Sequence, residues 1–321
     1  MTIKNPLKLT NTCLDGITIS YLLCEPSNLV IREMQRIAIA LDRKYKSFEM
    51  HFDEGIKIKV TPHRSKKTST LHKYLVIRFN PAKLLRNPES LIYLIVLIND
   101  LLKPIGKSFR DVYRDGKISR LDAAFDFELK QMMMLLFTLS KVQYSGLVNE
   151  LADSDIDSLG SYYKNYFPQT SYFGQKGQNR CSFYDRGLKN RKRGERMEDV
   201  AGKHYRLELR LKPRVSLQQL LKAMLIFSRY LRRFHIFTPQ RPVVIGSPLH
   251  FFIRACLHDG YKPSIDALSK YSPSEAKAVK RQLRLINFNK CRLLDGLSVS
   301  MKKFKKDVCT AIMEADEYDL D

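Results

Sequence analysis

Residues 117–128 read KISRLDAAFDFE, and their alternation decides how the rest of the chain is read. As a strand, Ser119, Leu121, Ala123, Phe125 and Phe127 share one face, and Arg120, Asp122, Ala124 and Asp126 share the other. The first face is mostly apolar and suits a core. The second carries two carboxylates with only Ala124 between them on that face. Aspartate is a poor strand residue, so the pair needs a reason. One reading is a metal or acid–base site. The other is a solvated outer face on which Arg120 pairs the acids.

Working outward, residues 204–211 (HYRLELRL) repeat the pattern, with Tyr205, Leu207, Leu209 and Leu211 inward and Arg206, Glu208 and Arg210 outward. Between these strands, Thr170–Phe173, a Gly174–Gly177 turn and Arg180–Tyr184 read as a hairpin, with Arg180, Ser182 and Tyr184 on one face. The run KNRKRGER, Lys189–Arg196, is the densest positive stretch. It is a solvated loop or a phosphate contact, and in so basic a chain we read the latter. Tyr162, Tyr163 and Tyr166 sit in a polar loop over 150–169, stacking on bases or packing within the loop.

Before the opening stretch, the patterning predicts a strand over 16–23 and an amphipathic helix over 28–44. A hairpin follows over 48–60, turning at Asp53-Glu54-Gly55. A basic loop runs from His63 to Lys67, a strand covers 71–79, and a buried helix spans Ser90–Leu102. After it, Met132–Leu139 reads as a second apolar helix. Beyond Pro213 the character changes. A long basic helix is expected over 215–234. Ser272-Pro273-Ser274-Glu275 starts another, running to about Asn287 with Lys277, Lys280, Arg281 and Arg284. A last helix covers about Ser300–Glu314. The expected class is α+β: a mixed, largely antiparallel sheet with flanking helices, then a helical C-terminal part. The expected division is a catalytic part at 1–212 and a basic helical part at 213–321, the latter for origin recognition or for covering the sheet.

The chain has 321 residues, 56 Lys and Arg against 33 Asp and Glu, and a formal net charge of +23. That excess is spread along the sequence, which points to a polyanion: nucleic acid first, an anionic membrane second. The longest apolar run, Leu91–Ile98, is far short of the roughly 18 residues a spanning helix needs. The first apolar run, Ile17–Cys24, ends at Glu25-Pro26 without a cleavage signal. A cytoplasmic protein outside the membrane is expected. The six cysteines lie far apart and read as free thiols. No His-x-His pair occurs, so a bound metal would need oxygen ligands.

Four stretches, LVIRFNPAKL (75–84), ISRLDAAFDFE (118–128), SYFGQKGQNRCSFYDRGLKN (171–190) and YRLELRLK (205–212), together resemble the replication initiation factors of rolling-circle plasmids, the type found on small staphylococcal resistance plasmids. The resemblance covers about residues 70–212. More distantly, filamentous-phage replication endonucleases and some conjugative relaxases look related at the Arg-Leu-Asp strand. The resemblance implies an enzyme that nicks one DNA strand at an origin through a tyrosine, leaving a 5′-phosphotyrosine and a free 3′ hydroxyl. Tyr184 matches the nucleophile; Tyr205 and Tyr172 are the other tyrosines to weigh. Asp122 matches the first carboxylate ligand of the metal, with Asp126 and Glu208 at further acidic positions. Hard oxygen ligands suit Mg²⁺ or Mn²⁺.

Arg206 and Arg210 are placed to offset charge on the transferring phosphate. Arg186 stands where the family usually has lysine, and Ala123-Ala124 where it has a Leu-Ala pair. DNA contacts are expected from Arg120, Arg180, Arg186, Lys189, Arg191, Lys192 and Arg193, and from Lys277, Lys280, Arg281 and Arg284. Besides DNA, single-stranded at the nick, a host helicase and a second copy of the chain are candidate partners. The competing readings are a relaxase acting at a transfer origin and a DNA-binding repressor without catalysis.

Overall fold

The computed structural model describes residues 7–23, 27–41, 43, 45–46, 48–52, 55–64, 71–129, 135–141, 145–148, 170–174, 179–192, 203–240, 243–244, 246–286 and 289–318. The strands in chain order are β1 (Leu7–Leu23), β2 (Tyr45–Lys46), β3 (Glu49–His51), β4 (Lys57–Arg64), β5 (Leu71–Phe79), β6 (Lys117–Leu129), β7 (Leu136–Leu139), β8 (Ser145–Val148), β9 (Thr170–Phe173), β10 (Arg180–Asp185), β11 (His204–Leu211), β12 (Phe234–Pro239) and β13 (Leu283–Leu285). The helices are α1 (Ser27–Ala40), α2 (Pro81–Leu84), α3 (Pro88–Leu102), α4 (Phe109–Asp115), α5 (Arg186–Lys192), α6 (Met224–Leu231), α7 (Pro248–Asp259), α8 (Tyr261–Tyr271), α9 (Pro273–Gln282) and α10 (Lys290–Tyr318). This is an α+β protein built on a large, largely antiparallel sheet with flanking helices and a long C-terminal helix.

Two compact units divide the chain. The first comprises residues 1–12, 124–210 and 227–294; the second comprises 13–123, 211–226 and 295–321. The strands β1 and β6 contribute residues to both.

In the second unit the strands follow the order β2-β3-β4-β5-β1-β6. Alternation makes one face of this sheet apolar: Ile17, Ile19, Tyr21 and Leu23 on β1, Ile58 and Val60 on β4, and Leu75, Ile77 and Phe79 on β5 are buried. Phe79 meets Phe304 of α10, ring centres 6.0 Å apart. Met301, Phe304, Val308, Ala311, Ile312 and Ala315 recur at helical spacing and are all buried, so this part of α10 is a core helix with lysines on its outer side. The start of α3 is set by Asn87, whose side chain accepts from the Glu89 amide, with Pro88 in the first position.

In the first unit the order is β6-β11-β10-β9-β8, with a separate three-stranded sheet β13-β12-β7. Phe137 of β7 stacks on Phe183 at 4.7 Å and also meets Phe173 and Phe234, while Phe183 stacks on Tyr205 at 5.4 Å. These rings, with Leu207 and Leu209, cover the apolar face of β10 and β11 and leave the opposite face to polar side chains. At the β9–β10 hairpin Gly174 has φ +103°, and a Cβ there would fall 2.3 Å from the Asn179 carbonyl oxygen, so only glycine fits.

Several expectations are corrected. Leu136–Leu139 is a strand rather than the end of a helix: all four residues are buried, and so short an apolar run carries no period to separate the two. The helix expected over 215–234 is a 3₁₀ turn at Leu220–Ala223 followed by the short α6. From Phe234 the aromatic and β-branched sequence FHIFTP pairs with β7 and β13 instead. The helix from Pro273 ends at Gln282, where β13 begins, so Arg284 lies on a strand. Its Ser272 cap makes no side-chain hydrogen bond. His63 and Arg64 belong to β4 rather than to a loop. The 150–169 loop with its tyrosines, and Asp53-Glu54 of the first hairpin, lie outside the described residues. None of the five described cysteines is in a disulfide. Among the described residues no helix is long and apolar enough to cross a membrane.

Candidate functional site

The polar face of β10 and β11 in the first unit carries the densest chemistry. Antiparallel register sets Tyr184 opposite Arg206, Ser182 opposite Glu208 and Arg180 opposite Arg210. Tyr184 and Glu208 are therefore diagonal neighbours on one face, within reach of each other. The Tyr184 hydroxyl donates to Glu208 Oε1 at 2.5 Å. Tyr184 is only 5% exposed. Burial, and then the Glu208 carboxylate beside it, push its phenol well above the ordinary tyrosine value. The Lys189 ammonium of α5 sits 3.9 Å from the centre of the Tyr184 ring, a favourable cation–π distance.

Asp126 of β6 completes this group. Arg206 donates from Nε to Oδ1 at 2.6 Å and from Nη2 to Oδ2 at 2.9 Å, a forked pairing that fixes both side chains. Arg186 Nη1 lies 2.7 Å from Oδ2, and Asn11 donates to the same oxygen at 3.4 Å. The Asp126 backbone carbonyl accepts from the Thr10 hydroxyl. Asp126 is 4% exposed. Its partners are thus Arg206 and Arg186, where the sequence offered Arg120. Arg180 stacks over Tyr172, its guanidinium carbon 4.1 Å from the ring centre. Tyr205 lies on the other face, buried against Phe183.

Asp122 belongs to the second unit. Arg120 Nε lies 2.9 Å from both of its oxygens, a second contact comes from Arg120 Nη2, and Asp122 is 8% exposed. Neither aspartate lies on a solvated face, since β6 is buried from Leu121 through Phe127. Asp122 and Asp126 are four residues apart, which along a strand is about 13 Å. Each of the three carboxylates expected to bind a cation is also engaged, by guanidinium or by phenol. No group of three His, Cys, Asp or Glu side chains disposed to hold a metal occurs among the described residues. The oxygens are of the right kind for a hard cation, and in the first unit Asp126 is held by Arg206 and Arg186 and Glu208 by Tyr184.

The remaining expected contacts divide. Arg186 and Lys189 are tied into the Asp126–Tyr184 group. The side chains of Arg191 and Lys192 and all of Arg193 lie outside the described residues. Lys277, Lys280 and Arg281 are exposed on α9, whose Ala276 and Val279 are buried, so these cations form one solvent-facing side. Sequence reasoning missed Asn11, Thr10 and the Lys189–Tyr184 contact. Only the length of β1, which begins at Leu7 rather than near residue 16, brings the first two to Asp126. In comparisons with known proteins, no family model matches this chain and no curated protein does.

Proposed function

We propose that this chain is a DNA-nicking and strand-transferring enzyme that initiates rolling-circle replication, with Tyr184 as its nucleophile. The observation that carries the reading is the hydrogen bond from the Tyr184 hydroxyl to Glu208, set beside two arginines held on Asp126. The four ordered motifs and the net charge of +23 support it.

A phenol is a weak nucleophile while protonated, and Tyr184 rests in that form. Glu208 takes its proton as the tyrosine oxygen bonds to phosphorus. The bond from phosphorus to the 3′ oxygen breaks, and that oxygen takes a proton from water. The products are a 5′-phosphotyrosine and a 3′ hydroxyl able to prime synthesis. Reversal rejoins the strand, with Glu208 returning the proton. Arg206, Arg186 and Arg210 supply positive charge for the transferring phosphate. A divalent cation, Mg²⁺ or Mn²⁺, belongs to this reading by resemblance only. Nicking in the presence of chelator tests it.

The test uses supercoiled DNA of the replicon that carries the gene. The reading expects open circles whose 5′ end is blocked by protein and whose 3′ end a polymerase extends. Intact circles, as from a repressor, or nicks with a free 5′ phosphate, would contradict it.

A further inference from the structure

The apolar face of the second unit's sheet is covered, and its other face is half-exposed. Register across β4, β5 and β1 sorts that open face into rows about 7 Å apart along the strands. His63 stands opposite His72. Thr61, Tyr74 and Leu22 form the next row. Lys59, Val76 and Ser20 form the third, and Lys57, Arg78 and Thr18 the fourth. One end of the face is thus aromatic and apolar, with His63 edge-on to Tyr74 at 6.3 Å and Leu22 43% exposed. The other end is basic. The acid on the adjoining strand, Glu49 opposite Lys59, is already paired with Lys57 and His51.

We propose that this open face binds single-stranded DNA, with bases on Tyr74, His63 and Leu22 and phosphates on Lys59 and Arg78. On this half-exposed face Tyr74 and His63 offer base-sized stacking surface. Positive side chains one or two rows away meet the backbone of a strand lying across it. A duplex hides its base faces and gains little from Tyr74, so the chemistry selects a single strand. A protein partner would need an apolar centre with charge at the rim. Here the charge is gathered at one end of the face, on Lys59, Lys57 and Arg78.

The proposal deepens the reading above by naming where a strand is held. It is therefore measured on full-length Tyr184→Phe protein, which cannot form the link, so that failure of nicking and failure of binding are read separately. The probe is a labelled oligothymidylate strand, followed by fluorescence anisotropy across a salt series, with a random-sequence duplex as comparison. Tyr74→Ala should weaken single-strand binding about tenfold, and Tyr74→Phe should leave it nearly unchanged. Lys59→Gln and Arg78→Gln each remove one positive charge and should each lower the salt slope by about 0.7. Duplex affinity should change less in every case. Single-strand affinity unchanged by Tyr74→Ala and by both charge substitutions would overturn the proposal. So would equal losses from Lys302→Gln and Lys303→Gln on the outer side of α10.

Discussion

The Tyr184 hydroxyl and the Glu208 carboxylate meet at 2.5 Å across β10 and β11, one register step off direct opposition. That diagonal places a proton acceptor on Tyr184, which shares with Tyr172 the hairpin face turned away from the aromatic core.

The first prediction follows from the raised phenol. A native-state alkaline titration, read as the phenolate absorbance difference between wild type and Tyr184→Phe, should show no ionisation of Tyr184 near its ordinary value of 10.0. Because the folded value lies above the unfolded one, its contribution to stability is intact below about pH 10 and declines above that. Glu208→Gln should lower the value without restoring it, since burial is the larger cause. A normal titration near 10 would contradict the buried, paired phenol.

A second prediction concerns Asp126. It pairs with both Arg206 and Arg186 in a nearly closed setting, so Asp126→Asn should cost about 3 kcal/mol in urea unfolding. The cost falls at the low end for a buried pair because Arg186 keeps about a third of its side chain exposed. Asp122→Asn, at the more exposed of the two carboxylates, should cost less. Equal costs would mean that the double pairing at Asp126 adds nothing.

A third prediction tests the aromatic layer. Phe137 touches Phe173, Phe183 and Phe234 and is 2% exposed. Phe137→Ala should therefore destabilise the fold by about 3–5 kcal/mol. A loss below about 1 kcal/mol would show that β7 does not seal the back of the β10–β11 pair.

This residue also shows what the sequence could and could not reveal. The strands over 71–79, 170–173 and 204–211 were readable because each alternates against one covered face. Leu136–Leu139 is buried on both sides and shows no alternation, so its sequence does not distinguish strand from helix. The helix α8 was hidden by Pro263, which sits harmlessly in its first turn. For the site, alternation placed Tyr184 with Arg180 and Ser182, and Glu208 with Arg206 and Arg210. Which of them touch depends on register, and the ties from Asn11 and Arg186 to Asp126 depend on tertiary packing that no local pattern encodes. The interleaved units have a practical consequence too. A chain ending at Pro213 would lose residues from both, so origin recognition is better tested by reversing Lys277, Lys280 and Arg281 on the exposed side of α9.

A fourth prediction concerns acid. His235 is hydrogen-bonded to the Ser140 hydroxyl at 2.7 Å, and burial, then the Lys290 ammonium, lower its pKa below 6.5. A depressed folded value means that its contribution is present above pH 6.5 and is lost as pH falls below that. The urea midpoint should drop between pH 7 and 5, and His235→Gln should flatten part of that drop. The same drop in the variant would assign the acid sensitivity to other groups.

The most direct measurement of the central claim is to trap the covalent complex on origin DNA, digest both polymers and locate the residual nucleotide by peptide mass spectrometry. The account predicts a single modified peptide carrying the phosphodiester on Tyr184, absent from Tyr184→Phe protein that still binds DNA. Modification of Tyr172 or Tyr205, or nicking that persists in Tyr184→Phe, would contradict it.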